Sequence, residues 1–577
     1  MNMKRLISFI FIMVLAISGY AQGETKAWEM KERLGRGINM GNMFEAPTET
    51  EWGNPWKPEY FRIIAELGFT HVRLPVRWET AVRSSATPPY TIYPVFMNRI
   101  KQVVDSALAN NLHIVFNMHH HESLFTNPTG QRERFMAQWR QISEFFQDYP
   151  DSLLFEPLNE PNGNLTPELW NAWVPEVLSI IRETNPDRTV LIGTPEWGGL
   201  GGLPKLEIPY DDNIILTIHY YNPFNFTHQG AEWSGEQSQA WLGTKWLDTE
   251  VDREVIHNEF QLAKNISETH DIPIHVGEFG AYSKADMESR ARWTTYLSRW
   301  FEEQGFSWAY WEFSAGFGIY NPSTKKLNDP LVNALLHNPI PEPARVVATS
   351  IYSSNFNTNN DGWSLNRSGG AIGSLTRTDG KLNVLITNGG TEGWNTQLMK
   401  TGIRLENGKT YRISFKASAP VGRSMTAYAG KNSDPWTSYS GYSSIYVSTE
   451  EGSYSYLFTM NTDDFAARLV FDLGGVSSGI TVWDFKLESI VITPTSSGKI
   501  RGNILKTYPN PFNREIFIEN PGSYRQAALY NAAGSKMMDF ALTQGVNQLN
   551  VPDLHPGLYV LNVTGDGPAE NIKLLRK

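Results

Sequence analysis

Eight strand-like segments alternate with helix-like segments between residues 30 and 337, and this alternation restricts the fold more than any other feature. The eight β-prone runs are Leu34–Met40, Thr70–Val76, His113–His119, Leu153–Leu158, Thr189–Thr194, Ile214–Tyr221, Ile272–Glu278 and Ser307–Phe313. Amphipathic stretches of helical period separate most of them. One of these predicted helices is Pro167–Thr184, which has Thr166 as its N-cap and a proline at its first position. Eight such units predict a (β/α)₈ TIM barrel, whose catalytic residues would lie at the C-terminal strand ends.

A doubly wound parallel sheet is the alternative arrangement, because it also alternates strands with helices. Such sheets often carry a glycine-rich phosphate-binding loop after the first strand, and this segment has none. Eight units without that loop favour the barrel.

The regular alternation ends at Asn338–Pro343, a proline-rich run that predicts a stiff linker. We therefore place the barrel domain at residues 25–340. From residue 346 to 494 the helical period disappears, and short β-rich runs alternate with turn residues, which predicts a jelly-roll β-sandwich. After a second linker at Thr493–Gly498, residues 503–577 predict a small C-terminal β-sandwich.

Residues 1–21 have the three parts of a secretory signal peptide. Lys4 and Arg5 form a basic start, Leu6–Ile17 forms an apolar core, and Gly19–Ala21 supplies a small-residue cleavage site. The apolar core is too short to span a membrane comfortably, so we expect export. The chain contains no cysteine, and each exported domain must therefore be stable without disulfides.

The net charge and the aromatic content of the chain indicate which kinds of molecule it could bind. The formal net charge is −10 with both signs interspersed, which disfavours nucleic acid and anionic membrane surfaces. The chain has 19 Trp, 24 Tyr and 29 Phe, an aromatic content that suits sugar-stacking surfaces as well as large packed cores.

Two glutamates follow apolar strands at the end where a barrel carries its active site. Glu160 follows Ser152–Leu158, and Glu278 follows Ile272–Val276. Carboxylates rarely end apolar runs unless something pairs with them or uses them, although N-caps or solvated loop acids give the same pattern. Two carboxylates on different strands are the minimum needed to hydrolyse a glycosidic bond.

Polar and aromatic residues occur at nearly every strand end. These further candidates are Asn42, Arg73, His119, His120, Asn159, Trp197, His219, Tyr221, Trp311 and Glu312. Individually, the histidines and tryptophans could belong to the core, and the arginine could neutralise a buried acid. Together they indicate a binding cleft at the C-terminal end of the barrel.

A metal site is a second interpretation of the third strand end. His119–His121 contains a His-x-His pair, which can hold a catalytic metal in amidohydrolase-like barrels. Such a site needs further His, Lys or Asp ligands on later strands. His219 could serve, but the eighth strand ends in Trp311 and Glu312. We therefore predict no metal and no cofactor.

Four motifs make residues 30–330 resemble glycoside hydrolase family 5, a family of retaining β-glycanases built on TIM barrels. The motifs are Leu158–Pro161, His219–Phe224, Gly277–Gly280 and Trp308–Phe313. The run Phe226–Trp233 is similar to a branch that contains endo-β-1,4-glucanases, some of which also act on β-mannan. The resemblance implies that Glu160 is the acid/base and Glu278 the nucleophile.

The same resemblance implies roles for the residues around the two glutamates. Asn159 would bind the sugar 2-hydroxyl, and Trp311 would form the floor under the −1 sugar. Further sugar contacts carried by the resemblance are Asn42, Glu45, His228 and Trp233. On physical grounds, Arg73 and Tyr221 would favour the anionic form of Glu278 if they reach it.

The two later domains have resemblances of their own. Residues 349–492 resemble carbohydrate-binding modules of families 4 and 9, through Gly393–Leu398 and Glu406–Phe415; a structural spacer is the alternative. The candidate sugar platforms are Trp394, Trp436, Tyr439 and Tyr442, whereas Trp363 and Trp483 are predicted core residues. Through Tyr508–Phe512, Ala528–Gly534 and Pro556–Val560, the last domain resembles the sorting domain of the Bacteroidetes type IX secretion system.

These resemblances predict a secreted or surface-attached, retaining endo-β-1,4-glucanase (cellulase). The expected partners are a β-1,4-linked polysaccharide (cellulose, mixed-linkage glucan or mannan) and the secretion machinery that recognises the C-terminal domain. A β-mannanase or mixed glucan/mannan enzyme is one alternative, and a non-catalytic polysaccharide-binding protein on a degenerate barrel is another. We expect a monomer that binds no nucleic acid.

Overall fold

The computed structural model describes residues 25–493 and 506–576, apart from 521, 523, 533, 552–553 and 566–569. The predicted signal peptide and most of the second linker lie outside the described residues. Described residues up to 493 form one compact unit, and those from 506 onward form a second.

Eight parallel strands close into a barrel, as the alternation predicts. The strands are β1 (Arg36–Asn39), β2 (His71–Leu74), β3 (His113–Asn117), β4 (Leu153–Glu156), β5 (Val190–Gly193), β6 (Ile214–His219), β7 (Ile274–Glu278) and β8 (Ser307–Tyr310). They pair in sequence order, and β1 pairs with β8 to complete the ring. The strand residues are almost all buried, because side chains fill the interior while helices cover the outside.

Ten helices accompany the described barrel strands. They are α1 (Lys26–Leu34), α2 (Glu59–Leu67), α3 (Pro94–Ala109), α4 (Glu122–Thr126), α5 (Pro128–Phe145), α6 (Pro167–Thr184), α7 (Phe224–Thr227), α8 (Glu250–His270), α9 (Met287–Glu303) and α10 (Asp329–Leu336). Helix α6 starts as predicted, since the Thr166 hydroxyl accepts a hydrogen bond from the Leu169 N–H and Pro167 occupies the first turn. The hairpin β9 (Tyr320–Asn321) and β10 (Lys326–Leu327) lies between β8 and α10.

A buried arginine closes the N-terminal end of the barrel between β4 and β5. The Arg188 guanidinium donates to four backbone carbonyls at 2.6 to 3.1 Å, those of Phe146, Tyr149, Pro150 and Leu153. It also lies 4.9 Å from the ring centre of Phe155. Burial lowers the pKa of Arg188 to about 10, so it stays charged at neutral pH and gives each of these four buried carbonyls a charged donor.

The second domain is an antiparallel β-sandwich, as predicted. Its strands are β11 (Arg345–Ser354), β12 (Trp363–Arg367), β13 (Ile372–Thr378), β14 (Lys381–Asn388), β15 (Thr396–Leu405), β16 (Thr410–Ser418), β17 (Arg423–Gly430), β18 (Ser443–Val447), β19 (Gly452–Thr459), β20 (Asp464–Asp472) and β21 (Ile480–Thr493). One sheet has the order β13-β14-β21-β16-β19 with β11 also on β21, and the other has the order β12-β15-β20-β17-β18. Trp363 and Trp483 are buried in the core between them, as predicted.

The C-terminal unit is a small antiparallel β domain. Its strands are β22 (Lys506–Tyr508), β23 (Glu515–Asn520), β24 (Tyr524–Asn531), β25 (Lys536–Ala541), β26 (Gly545–Asn550), β27 (Gly557–Gly565) and β28 (Glu570–Arg576). They form a sheet of order β22-β23-β26 and another of order β25-β24-β27-β28. Among the described residues of the whole chain, no helix is long and apolar enough to cross a membrane.

The Arg188 cluster predicts a large loss of stability when the guanidinium is removed. Arg188→Ala removes four hydrogen bonds from a buried charged donor, and we expect about 3 kcal/mol or more of destabilisation. Arg140→Ala is the matched control, because Arg140 pairs with Glu183 in solvent and contributes less than about 1 kcal/mol. Thermal unfolding followed by circular dichroism measures both, and equal shifts in Tm would contradict this role of Arg188.

Candidate active site

A single buried guanidinium organises the C-terminal end of the barrel. Arg73 on β2 donates from Nε and Nη2 to the two oxygens of Glu156, at 2.7 and 2.8 Å. Its Nη1 donates to Glu278 at 2.7 Å and to the Asn39 side chain at 2.9 Å, and its Nη2 also reaches Asn159 Oδ1 at 2.6 Å. Because these partners come from or just after β1, β4 and β7, one side chain on β2 fixes residues from three other strand ends.

Glu156 is a functional residue that the sequence did not single out. It is fully buried at the end of β4. Its bidentate ion pair with Arg73 is enough to neutralise the arginine without the contribution of Glu278. Burial alone would lower the pKa of Arg73, but the charges of Glu156 and Glu278 raise it well above its ordinary value. The available signal was a glutamate inside an apolar strand, which requires a buried cation as its partner.

Glu278 ends β7 and is held on both oxygens. Oε1 accepts from Arg73, and Oε2 accepts from the Tyr221 hydroxyl at 2.8 Å. Burial and the negative charge of Glu278 raise the pKa of Tyr221 well above its usual value, so the tyrosine remains a hydroxyl donor. A carboxylate that accepts from donors on both oxygens has the hydrogen-bonding pattern of the ionised form.

Glu160 has a different partner, a titratable histidine. Its Oε1 lies 2.6 Å from Nδ1 of His219 at the end of β6, and about a quarter of its side chain is exposed. Burial lowers the pKa of His219, but the charge of Glu278 and the hydrogen bond with Glu160 outweigh it and raise this pKa. Gly198 lies against the pair with φ +67°; a Cβ there would lie 3.2 Å from Glu160 and 3.3 Å from His219.

The two predicted catalytic glutamates therefore face each other across a short gap. One oxygen of Glu160, one oxygen of Glu278 and a ring nitrogen of His219 all lie within 4.8 Å of one another. These three could present ligand atoms to a cation, but each of them already has a hydrogen-bonding partner. Each carboxyl group thus has its own fixed partner, and the two side chains are held at one short separation.

The His-x-His pair of the alternative metal interpretation is not assembled. His121 is buried and caps α4, because its Nδ1 accepts the backbone N–H of Leu124. The His119 ring instead stacks on Trp311, with 5.7 Å between ring centres and 11° between planes. The two imidazoles are therefore committed to different structural tasks, and the amidohydrolase-like alternative loses its ligand set.

Trp311, His119 and His120 form one wall of the cleft. Trp311 is partly exposed, and a Cβ added at Gly41 would lie 2.9 Å from its ring. Burial lowers the pKa of His119 well below its usual value, which keeps this imidazole neutral beside the indole. His120 is half-buried and meets the edge of Trp52, an exposed tryptophan after β1 that the sequence did not single out.

The structure removes Glu45 and Glu312 from the predicted substrate contacts. Glu312 is fully buried and accepts from three backbone N–H groups, those of Ser314, Ala315 and Phe317. Glu45 is also buried and accepts from the backbone of Asn42 and Met43. Burial raises the pKa of Glu45 to about 8 and that of Glu312 to about 7. Both carboxyls support loops, while Asn42 stays partly exposed with a left-handed backbone.

The remaining predicted barrel contacts lie on the loops after β5 and β6. His228 is buried, stacks on Phe224 at 3.9 Å and meets Tyr221 edge-on at 5.0 Å. Burial lowers the pKa of His228 to about 3, so this ring is neutral at ordinary pH. Trp197 and Trp233 are both largely exposed, which leaves their ring faces free to stack on a sugar.

On the sandwich, three of the four predicted platforms are exposed. Trp394, Trp436 and Tyr442 lie at the surface. Tyr439 is a correction: it is buried, its ring belongs to the sandwich core and its hydroxyl donates to Asp464 at 2.8 Å. Its backbone N–H pairs with Ala429 of β17, which turns the ring toward the core.

Comparison with known proteins gives a family match for each of the three domains. Residues 35–316 match cellulase (glycosyl hydrolase family 5), residues 348–479 match a carbohydrate binding domain, and residues 506–576 match a secretion system C-terminal sorting domain. The sorting domain indicates secretion or attachment at the cell surface.

The barrel accounts for the similarity to individual proteins. Endoglucanase H of Acetivibrio thermocellus is 36% identical over 317 residues, which cover 54% of this chain but only 33% of that relative. Cel5A of Thermotoga maritima, solved in complex with cellobiose, is 49% identical with a TM-score of 0.52, over 54% of this chain and 99% of that one. The same enzyme solved with mannotriose is 48% identical, with the same TM-score and coverage.

Close identity over nearly the whole of a solved Cel5A chain adds to the family match of residues 35–316. The three domain matches also follow one another in the order that the sequence predicts. In the sequence, the barrel is followed by a carbohydrate-binding domain and a C-terminal sorting domain. This chain belongs to glycosyl hydrolase family 5, the cellulase family.

Proposed function

We propose that this protein is a secreted, retaining endo-β-1,4-glucanase that hydrolyses internal bonds of plant polysaccharide by double displacement. The approach of Glu160 and Glu278, whose nearest site oxygens lie within 4.8 Å, is the observation that carries the proposal. Retaining enzymes hold their carboxyl groups about 5–5.5 Å apart, whereas inverting enzymes leave about 6.5–9.5 Å for a water molecule. The shorter gap supports direct attack by a glutamate.

In the first step, Glu278 attacks the anomeric carbon while Glu160 gives its proton to the departing glycosidic oxygen. Arg73 and the Tyr221 hydroxyl hold the attacking carboxylate in a fixed position. In the second step, Glu160 removes a proton from water, which attacks the same carbon and releases Glu278. Two inversions return the original β configuration.

The hydrogen bond between Glu160 and His219 supports the acid/base role. At 2.6 Å the two groups share one proton, and the exposure of Glu160 lets it exchange protons with the leaving group and with water. The nucleophile has no such partner at hydrogen-bonding distance, since His219 Nδ1 lies 3.7 Å from Glu278. The surroundings of the two carboxyl groups therefore favour different tasks.

Asn159 and Trp311 are proposed to bind the sugar at the cleavage point. Since Arg73 holds the Asn159 carbonyl oxygen, its amide N–H₂ is the part left to donate to a 2-hydroxyl. The partly exposed Trp311 ring offers a flat apolar face for the same sugar. The exposed Trp197 and Trp233 are proposed to bind sugars further along the chain.

A mixed glucan/mannan specificity is the second candidate. The solved complexes of the similar Cel5A with both cellobiose and mannotriose favour it. The two sugars differ in the orientation of the 2-hydroxyl, which is the group that Asn159 is proposed to bind. The non-catalytic alternative is less well supported, because both glutamates, Arg73 and Glu156 are present and bonded together.

We expect the purified mature protein to hydrolyse barley β-glucan and carboxymethylcellulose, and Glu160→Ala to lower kcat by about 10²–10⁴-fold. Glu278→Ala should lose at least as much, because it removes the carboxylate that forms the covalent intermediate. Glu196→Ala is the matched control, since this glutamate pairs with Lys205 in solvent beside Trp197. Release of reducing sugar measures all three, and the rate on glucomannan divides a glucanase from a mixed enzyme.

Azide separates the roles of the two glutamates. In Glu278→Ala, azide in the vacated space attacks the anomeric carbon directly and yields the α-glycosyl azide. In Glu160→Ala, with a substrate whose leaving group needs no proton, azide attacks the glycosyl-Glu278 intermediate and yields the β-glycosyl azide. The opposite pair of anomers would exchange the roles, and full turnover in either variant would end the two-glutamate proposal.

The raised pKa of His219 predicts a pH-dependent stability. A histidine whose pKa is higher in the folded protein stabilises it fully below the ordinary value of 6.5, and loses that contribution as pH rises through the raised value. Above pH 6.5 the Tm of the wild type should therefore fall more steeply than that of His219→Asn. His337→Asn is the control, because burial lowers the pKa of His337. Parallel Tm curves for wild type and His219→Asn would contradict the charge assigned to His219.

A further inference from the structure

We infer that the catalytic cleft and the exposed face of the sandwich form one continuous track, which binds a single β-linked glycan chain across both domains. The inference rests on the proposed function and adds to it the length and path of the substrate. It is carried by a row of aromatic residues that runs from the nucleophile to the sandwich, and by a packed junction between the two domains.

The barrel part of the track starts at the nucleophile. Tyr221, whose hydroxyl bonds Glu278, meets the edge of His228 at 5.0 Å, and His228 stacks on Phe224 at 3.9 Å. Trp233 also meets the His228 ring edge-on, with 6.4 Å between ring centres. Phe224 is 39% exposed and Trp233 is 60% exposed, so both offer ring surface to a ligand.

The junction brings the sandwich loop 431–442 directly onto α7 and the 3₁₀ helix Glu236–Trp241. Trp241 is buried against the edge of Phe224 at 6.0 Å, and its indole N–H donates to the Ser438 carbonyl of the sandwich at 3.1 Å. Gly441 has φ +73°, and a Cβ there would lie 2.8 Å from the Asn225 side chain. The two backbones therefore approach so closely that only glycine fits on the sandwich side.

The sandwich part of the track begins one residue beyond this contact. Tyr442 is 40% exposed and meets Tyr428 edge-on at 4.9 Å. The Arg468 guanidinium lies 5.8 Å from the Tyr428 ring and 4.6 Å from the Trp436 ring, and Trp436 is 50% exposed. Phe224 and Tyr442 are thus sequence neighbours of the two residues in contact, Asn225 and Gly441.

The linker between the domains is fastened to the barrel, so the track does not depend on two freely moving modules. The Ala344 N–H donates to the Asp248 carbonyl at 2.6 Å, and Arg253 donates to the Pro341 carbonyl at 2.6 Å. Leu247 of the barrel is buried together with Leu457 and Ile490 of the sandwich. A fixed junction holds the second binding surface at one distance, which gives a chain bound in the cleft a high effective concentration at the sandwich.

Substitution of Tyr442 tests whether one chain uses both domains. The long substrate is barley β-glucan and the short one is cellotriose. Tyr442→Ala should raise the KM for β-glucan divided by the KM for cellotriose about fivefold, as loss of one aromatic contact predicts. Trp436→Ala should raise the same ratio, and Tyr442→Phe should restore it because the ring is kept. The full chain is used throughout, and circular dichroism checks that each variant is folded.

Tyr210→Ala is the matched control, because Tyr210 is an exposed aromatic residue before the N-terminal end of β6, opposite the cleft. An unchanged KM ratio in both Tyr442→Ala and Trp436→Ala would overturn the track and leave the proposed function intact. An equal rise of KM for both substrates would also overturn it, since the effect would then lie within the barrel. Failure of the wild type to hydrolyse barley β-glucan would overturn the proposed function and the track with it.

Discussion

The ion pairs of Arg73 are the interaction on which the site depends. A fully buried guanidinium has lost its water, and it is stable there only because Glu156 and Glu278 compensate for that loss. Removing one partner of such a buried pair typically costs about 3–5 kcal/mol. The bidentate pair with Glu156 neutralises the positive charge of Arg73. The arginine then holds one oxygen of Glu278, and the other oxygen accepts the hydrogen bond from Tyr221. The interaction that stabilises the strand ends therefore also positions Glu278, the proposed nucleophile.

The proposed division of labour between the two glutamates rests on their different surroundings. Glu278 is bound by donors that do not titrate near neutral pH, Arg73 and Tyr221. Glu160 is bound by His219, which does titrate, and it has access to solvent. A fixed anion and a carboxyl group beside a proton reservoir are what a two-step displacement requires. The loop after β6 runs from Tyr221 past His228 to residues that contact the sandwich, so the proposed chemistry and the proposed binding of a long chain share one structural support.

The sequence was sufficient to predict the barrel and to place Glu160 and Glu278 at strand ends that it brings together, because strand period and the position of strand ends are local properties. It was not sufficient for Glu156, whose importance depends on Arg73, a residue 83 positions away that only the closed barrel brings near. Glu45 and Glu312 follow strands as Glu160 does, yet their carboxyls turn back to backbone N–H groups, a choice that depends on loop geometry. In the same way Tyr439 and Tyr442 lie in one irregular loop, where no period tells which ring faces the core.

The stereochemistry of the first product tests the central claim most directly, because it reports whether Glu278 attacks the sugar itself. Proton NMR of the anomeric region during hydrolysis of a soluble β-glucan follows the newly formed reducing end before mutarotation equilibrates it. The arrangement of Glu160 and Glu278 predicts that the β anomer appears first and the α anomer only later. Initial release of the α anomer would mean that water attacks directly, and it would contradict the role of Glu278 as the nucleophile.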